Sequence, residues 1–190
     1  MKLLQERIAR DGKVLPGNII KVDGFLNHRV DINLLKAMAD EFYTLFAKEN
    51  PTIILTVEAS GIALATVVAE RFGIPLLFAK KAKSDNIEGG LYKSEIFSYT
   101  YKKTVNLIVS TEWLKEGDRV LVIDDFLANG EALRGVIDIA HQANAEVVGV
   151  GIAIEKGFQA GGQKLRDGGY NLHSLAVIDK ADENGIVFRE

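Results

Sequence analysis

The chain of 190 residues contains no cysteine. That excludes disulfide bridges, thiol catalysis and thiolate metal sites, and it fits a reducing compartment. Charge of one sign is not in excess: 23 basic against 26 acidic residues leave a formal net charge of −3. No general attraction to nucleic acid is written into that balance. Long apolar runs are missing too, so no segment has the length needed to span a bilayer. Prolines number only three, no stretch rich in Pro, Ser or Gly forms a linker, and nothing repeats at a fixed period. The opening MKLLQERIARDG mixes charges among its apolar residues and does not read as a secretory signal. What is present is a composition 47% hydrophobic and 26% charged, that of a globular chain able to bury a core. The expectation is one domain over residues 1–190, cytoplasmic, with no membrane and no nucleic-acid partner.

Two hydrophobic periods alternate along the chain. Leu34, Leu35, Met38, Phe42, Leu45 and Phe46 recur at helical spacing between Asp31 and Glu49, with Asp31 placed as an N-cap. Lys2 to Arg10 reads as a helix with a solvated face, turning Leu3, Leu4 and Ile8 inward. Thr52–Val57 is β-branched and strand-like; it meets Glu58-Ala-Ser-Gly61 and then a helix expected to stop near Gly73. Further strands are expected at 76–79, 119–123, 147–154 and 175–178, with a helix over 131–143. Short apolar strands alternating with helices predict a parallel sheet covered on both faces. Ligands of such sheets bind at the carboxyl ends of the strands, the edge where the loops after Val57 and Ile123 lie.

Between the second and third of these strands the pattern changes. Lys80 to Gly90 is polar and contains glycine, which predicts a mobile loop. Phe97, Tyr99 and Tyr101 then alternate with polar residues, and Val105–Val109 would supply an antiparallel partner. Such an arm above the ligand edge would act as a lid, and Trp113 is expected to pack against it. His28, His141 and His173 show no metal-ligand spacing.

The chemistry concentrates in VLVIDDFLANGEAL, Val120–Leu133. A strand runs into two acids, a short loop and a helix. The backbone N–H groups of Ala128, Asn129, Gly130, Glu131 and Ala132 would cradle a phosphate at the helix N-terminus. Asp124 and Asp125 would repel that phosphate, so they must face hydroxyl donors or a divalent cation. A ligand carrying a phosphate, a ribose and a metal-bound pyrophosphate satisfies every group. The bland alternative places one acid buried, capping the next helix, and the other on the surface.

This stretch resembles the 5-phosphoribosyl-1-diphosphate (PRPP) motif of type I phosphoribosyltransferases. Lys21-Val-Asp-Gly-Phe-Leu-Asn-His28, Glu58-Ala-Ser-Gly-Ile62 and Glu155-Lys-Gly-Phe-Gln159 are similar to segments of the bacterial xanthine-using subgroup. The resemblance implies an α/β fold: a parallel sheet flanked by helices, a small hood from about residues 1–30 and the C-terminal part, and a mobile hairpin or lid loop over about 80–104. It implies that Asp124 and Asp125 contact the ribose hydroxyls, with Asp125 a possible base. The loop 128–132 would hold the 5′-phosphate. Ser60, Gly61 and Lys81 would hold pyrophosphate, with Lys80 and Lys83 as weaker candidates. The commoner family loop has threonine and two glycines; here Asn129-Gly130-Glu131 departs from it, and the Glu131 carboxylate must turn away from phosphate. Ile20, Asn27, Lys156 and Phe158 are the implied purine contacts. Lys156 would donate to a 6-oxo group. Asn27 can present a donor to the 2-oxo group of xanthine or an acceptor to the 2-amino group of guanine. The implied activity is transfer of the phosphoribosyl group of PRPP to xanthine, giving XMP and pyrophosphate. Mg²⁺ would accompany PRPP, with no protein metal ligand assigned, and the chain would form a homodimer. A hypoxanthine or guanine enzyme is one alternative. A PRPP-sensing regulator is the other, although about twenty residues before the family-like segment are too few for a winged helix.

Overall fold

Apolar periodicity and its interruptions account for most of the elements in the computed structural model, which describes residues 1–82, 90–98, 103–183 and 185–190. Helix α1 (Lys2–Asp11) buries Leu4 and Ile8, but Leu3 is half exposed. Leu4 and Ile8 share one stripe four residues apart; Leu3 lies beside it and points outward, contrary to the sequence expectation. A small antiparallel ribbon follows, β1 (Lys13–Leu15) with β2 (Ile19–Lys21), turned by Gly17 and Asn18 in left-handed conformations. A π-helical turn, Asp23–Asn27, buries Phe25 and Leu26. Helix α2 (Ile32–Phe46) starts where the sequence places its cap: Asp31 accepts from the N–H groups of Asn33 and Leu34 at 3.1 and 3.2 Å.

Strand β3 (Ile53–Val57) is buried at all five positions, as a central parallel strand requires. Helix α3 (Ser60–Phe72) ends at Gly73, whose φ of +69° turns its N–H back to Ala69 and Glu70. The remaining elements are β4 (Leu76–Ala82), β5 (Leu91–Ser98), β6 (Lys103–Ser110), β7 (Arg119–Leu127), α4 (Glu131–Gln142), β8 (Glu146–Lys156), α5 (Gly161–Asp167), β9 (Leu172–Asp182) and β10 (Gly185–Phe188). One eight-stranded sheet runs in the order β10-β9-β8-β7-β3-β4-β6-β5. The five strands β9 to β4 are mutually parallel; β10 and the β5–β6 pair add antiparallel edges.

Two apolar layers cover the sheet. On one face α1, α2 and α3 pack with the N-terminal turn and the β9–β10 end. On the other α4, Leu165 of α5 and the β5–β6 arm close over β3, β7 and β8. The N-terminal elements lie against β9 and β10, where the hood is expected. Among the described residues no helix is long and apolar enough to cross a membrane.

Several expectations change at the edges. Lys80 and Lys81 are strand residues, paired with Ile108 and Leu107 of β6, rather than the start of a loop. Ala82 ends the same strand, paired with Asn106; residues 83–89, with Lys83, lie outside the described residues, and so do Tyr99 and Tyr101. The arm pairs Leu91–Ser98 with Lys103–Ser110. Trp113, expected to pack on the arm, is 63% exposed in the turn that follows β6.

Candidate active site

Strand β7 does not stop at Ile123. Its ladder with β8 continues through Asp124↔Ile152 and Phe126↔Ile154 to Leu127↔Glu155, so both aspartates are strand residues. Both are buried, 7% and 4% exposed, which excludes a surface position for either. The Asp124 carboxylate accepts the backbone N–H of Asp125 at 2.9 Å. Burial, and next the charge of Asp125, push Asp124 well above the ordinary carboxylate range; the Asp125 N–H and the Lys81 charge oppose this only in part.

Asp125 gathers the parts. One oxygen accepts from Asn27 Nδ2 at 2.8 Å and the other from Ser60 Oγ at 2.9 Å. Residues expected to meet base, pyrophosphate and ribose thus converge on one carboxylate. The β3–α3 loop comes equally close to Asp124. A Cβ on Gly61 would lie 2.7 Å from Asp124 Oδ1 and would collide with Thr56 Oγ1, so only glycine allows that approach. The Lys81 N–H donates to the Glu58 carboxylate at 2.6 Å, which ties the end of β4 to the same loop.

The loop after β7 carries a left-handed glycine, Gly130, with φ +87°. The Ala128 carbonyl accepts from the Gly161 N–H at 3.1 Å, and a Cβ on Gly130 would sit 3.2 Å from Gly161 Cα. Glu131 opens α4 and pairs with Arg134 one turn on at 3.2 Å, so its negative charge is engaged along its own helix. Ala132 follows in the first turn.

The residues expected to meet the purine are less tightly joined. Ile20 is only 6% exposed and belongs mainly to the core under the ribbon. Lys156, half-buried at the end of β8, reaches the Asn18 carbonyl at 3.4 Å; burial lowers its pKa from the usual lysine value. Phe158 is exposed at 36%, free of the core packing that would otherwise explain it. A groove of about 330 Å³ lined by Asn129, Gly130, Glu131, Lys164 and Tyr170 lies between α4 and α5. It shares Asn129, Gly130 and Glu131 with the loop after β7 but is lined by none of Asp125, Asn27, Ser60 and Lys156.

Sequence reasoning missed Glu155, which is 2% exposed and bound in two-pronged fashion by Arg166, both contacts at 2.7 Å, and by Ser174 at 2.5 Å. The signal was available, since an acid ends the apolar run of β8 much as Asp124 and Asp125 interrupt β7. The glycine contact of Gly161 with the phosphate-type loop has no such signal. Among the described residues, no group of three or more acids or histidines is placed to hold a metal unaided.

A buried acid pair at the carboxyl edge of a parallel sheet, beside a glycine-bearing strand-to-helix loop, is the arrangement of an α/β protein whose ligand site lies at that edge. The chain belongs to the phosphoribosyltransferase family: the phosphoribosyl transferase domain matches residues 25–170. Among its relatives, the xanthine phosphoribosyltransferase of Lachnoclostridium phytofermentans is 53% identical over 100% of this chain and 98% of its own length. The xanthine phosphoribosyltransferase of Finegoldia magna is 50% identical over 100% of both chains, and that of Bifidobacterium longum 50% over 100% of both. Solved structures share the fold. The adenine phosphoribosyltransferase of Giardia lamblia, complexed with 9-deazaadenine, aligns with TM-score 0.78 and 22% identity over 92% of this chain and 96% of its own. That of Rhodothermus marinus gives 0.75 and 19% over 93% and 99%.

Proposed function

We propose that this protein transfers the 5-phosphoribosyl group of PRPP to xanthine, giving XMP and pyrophosphate. The observation that carries the reading is the convergence of Asn27 and Ser60 on the buried Asp125, beside a loop suited to a phosphate. Full-length identity of about half to xanthine phosphoribosyltransferases supports the choice of base. A ribose donates two vicinal hydroxyls, which suits carboxylates better than it suits any cationic site. The 5′-phosphate goes to the N–H groups of 128–132, and the pyrophosphate to the Ser60–Gly61 turn and Lys81. The purine goes to Asn27, Lys156 and Phe158, with Ile20 beneath.

In the reaction a purine nitrogen forms a bond to C1 of the ribose as the bond from C1 to the pyrophosphate oxygen breaks. The proton of the attacking purine nitrogen passes to solvent, and the electron pair of the broken bond departs on pyrophosphate. Charge develops on the sugar ring, so the protein contributes position and an electrostatically prepared site rather than a nucleophile. Asp125 orients the ribose and sits where positive charge grows. Lys156, at reduced basicity but still a donor, fixes the oxygen edge of the base. Two buried carboxylates with the charged form of Asp124 disfavoured suit a divalent cation nearby, and Mg²⁺ arriving on PRPP would supply charge neutralisation of the leaving group. The protein is further proposed to be a cytoplasmic homodimer.

Guanine forms the second reading, on one observation. Asn27 spends one of its two N–H groups on Asp125 and keeps its carbonyl oxygen free, and an acceptor suits the 2-amino group of guanine. The test is to incubate the pure protein with Mg²⁺ and PRPP plus xanthine, guanine, hypoxanthine or adenine, following nucleotide and pyrophosphate. Preference for xanthine is expected. Equal or better turnover of guanine overturns the base, and PRPP binding without turnover overturns catalysis in favour of a sensor.

A further inference from the structure

Glu155 and Lys156 are neighbours on β8, and alternation sends their side chains to opposite faces of the sheet. Lys156 goes toward the Asn18 side, where the purine is proposed to bind. Glu155 goes toward α5, where it meets Arg166.

Its carboxylate is fully engaged. Arg166, near the end of α5, binds both oxygens at 2.7 Å, and Ser174 of β9 donates to one of them at 2.5 Å. Burial works against the charge, yet the Arg166 and Ser174 hydrogen bonds outweigh it and hold Glu155 below its ordinary value. The start of the same helix has no room to shift. A Cβ on Gly162 would lie 2.6 Å from Glu155 Cδ, and one on Gly161 would lie 2.8 Å from Gly130 N and collide with the Ala128 carbonyl. Gly161 also donates its N–H to that carbonyl at 3.1 Å. In a trans peptide the C=O and the following N–H point in opposite directions. Holding the Ala128 carbonyl toward α5 therefore turns the Asn129 N–H away from it. That orientation presents the Asn129 N–H as a phosphate donor.

We infer that Glu155 is a positioning residue for the phosphate cradle. Clamped by Arg166 and Ser174, it fixes α5, and α5 through Gly161 sets the Ala128–Gly130 loop in its donor orientation. The inference rests on the proposed role of that loop. The Glu155 end of this pair is buried while Arg166 reaches the surface, and for stability alone an apolar residue could fill the Glu155 position as well. A fixed direction for a short seven-residue helix is something a two-pronged Arg–carboxylate pair provides and a greasy contact does not.

The experiment compares Glu155→Gln, Arg166→Lys and Gly161→Ala with wild type, measuring steady-state KM and kcat for PRPP and for xanthine. Titration with ribose 5-phosphate, which reads the cradle without turnover, accompanies it. Glu155→Gln and Gly161→Ala are expected to raise KM for PRPP and weaken ribose 5-phosphate about ten-fold or more, while KM for xanthine stays within about two-fold. Arg166→Lys, which keeps the charge but loses the fork, should fall between. Should Glu155→Gln fail to fold, Gly161→Ala alone tests the last link. Unchanged ribose 5-phosphate affinity overturns the inference, as does a rise in KM for xanthine equal to that for PRPP, which would mean that Glu155 acts through Lys156. Wild type that binds ribose 5-phosphate but turns over no PRPP defeats the proposed function and leaves the cradle comparison decisive on its own; wild type that fails to bind it defeats the inference.

Discussion

Both oxygens of Asp125 are already engaged, one by Asn27 and one by Ser60. A carboxylate has about four acceptor sites, so ribose hydroxyls can join or replace these donors. Asp125→Ala removes every such contact at once. Two hydrogen bonds to a charged acceptor, each worth about 1.5–3 kcal/mol, correspond to a loss of roughly 100-fold or more in turnover at limiting PRPP. The thermal midpoint should move little, because Ser60 is exposed and Asn27 half-exposed, and water can serve the donors left behind. Lys156→Ala should do the opposite, raising KM for the oxopurine about ten-fold with a smaller change for PRPP. Steady-state kinetics with each substrate limiting in turn checks both; equal effects of Lys156→Ala on the two substrates would sink its base-reading role. The acids and the loop were legible in the sequence because a buried strand rarely carries two adjacent charges. That Asn27 reaches Asp125 was not, because the two lie 98 residues apart and only the fold brings them together.

At the scale of elements, the turn that carries Asn27 is held from behind. Asp31 caps α2, accepts Arg7 at 2.7 Å, and donates its own N–H to the Phe25 carbonyl at 2.9 Å inside the Asp23–Asn27 turn. The Arg7 guanidinium lies over the Phe25 ring, 5.1 Å from its centroid. Asp31→Ala removes the cap and the ion pair together. A lower denaturation midpoint is expected, since the cap hydrogen bonds and the ion pair are lost together. The loosened turn should raise KM for xanthine more than KM for PRPP. Chemical denaturation and kinetics on one preparation would test this, and a stable variant with unchanged KM values would disprove it. The cap was readable because Asp followed by an amphipathic stretch is a local signal. So was Gly73. The ends of β4 and β7 were read too short because lysines and aspartates look like loop residues. The ladder partners β6 and β8 that keep those ends extended are distant in sequence.

Two of the buried acids among the described residues, Asp124 and Glu155, respond to pH in opposite directions, and they divide site from scaffold. Asp124 has a raised folded-state pKa, so the native protein holds that proton more tightly than the unfolded chain. Its contribution is fully present below the unfolded value of about 3.9 and is lost as pH rises through the folded value. At neutral pH the fold therefore bears a cost at the place where the chemistry is proposed. Glu155 has a lowered pKa, so its contribution is present above about 4.3 and is lost as pH falls through its folded value. Asp124→Asn keeps an oxygen for the Asp125 N–H and removes the buried charge. It should gain about 1–2 kcal/mol at pH near 8, or roughly 2–8 °C in thermal midpoint. That gain should shrink as pH falls toward about 4. Glu155→Gln should be less stable than wild type at pH near 8, with the gap closing in acid. Thermal melts of the three proteins across that pH range decide the matter. If Asp124→Asn were the less stable protein at every pH, burial of its charge would not be the cost described. A gain in stability joined to loss of PRPP turnover would instead mark Asp124 as a residue kept for the reaction against the interest of the fold.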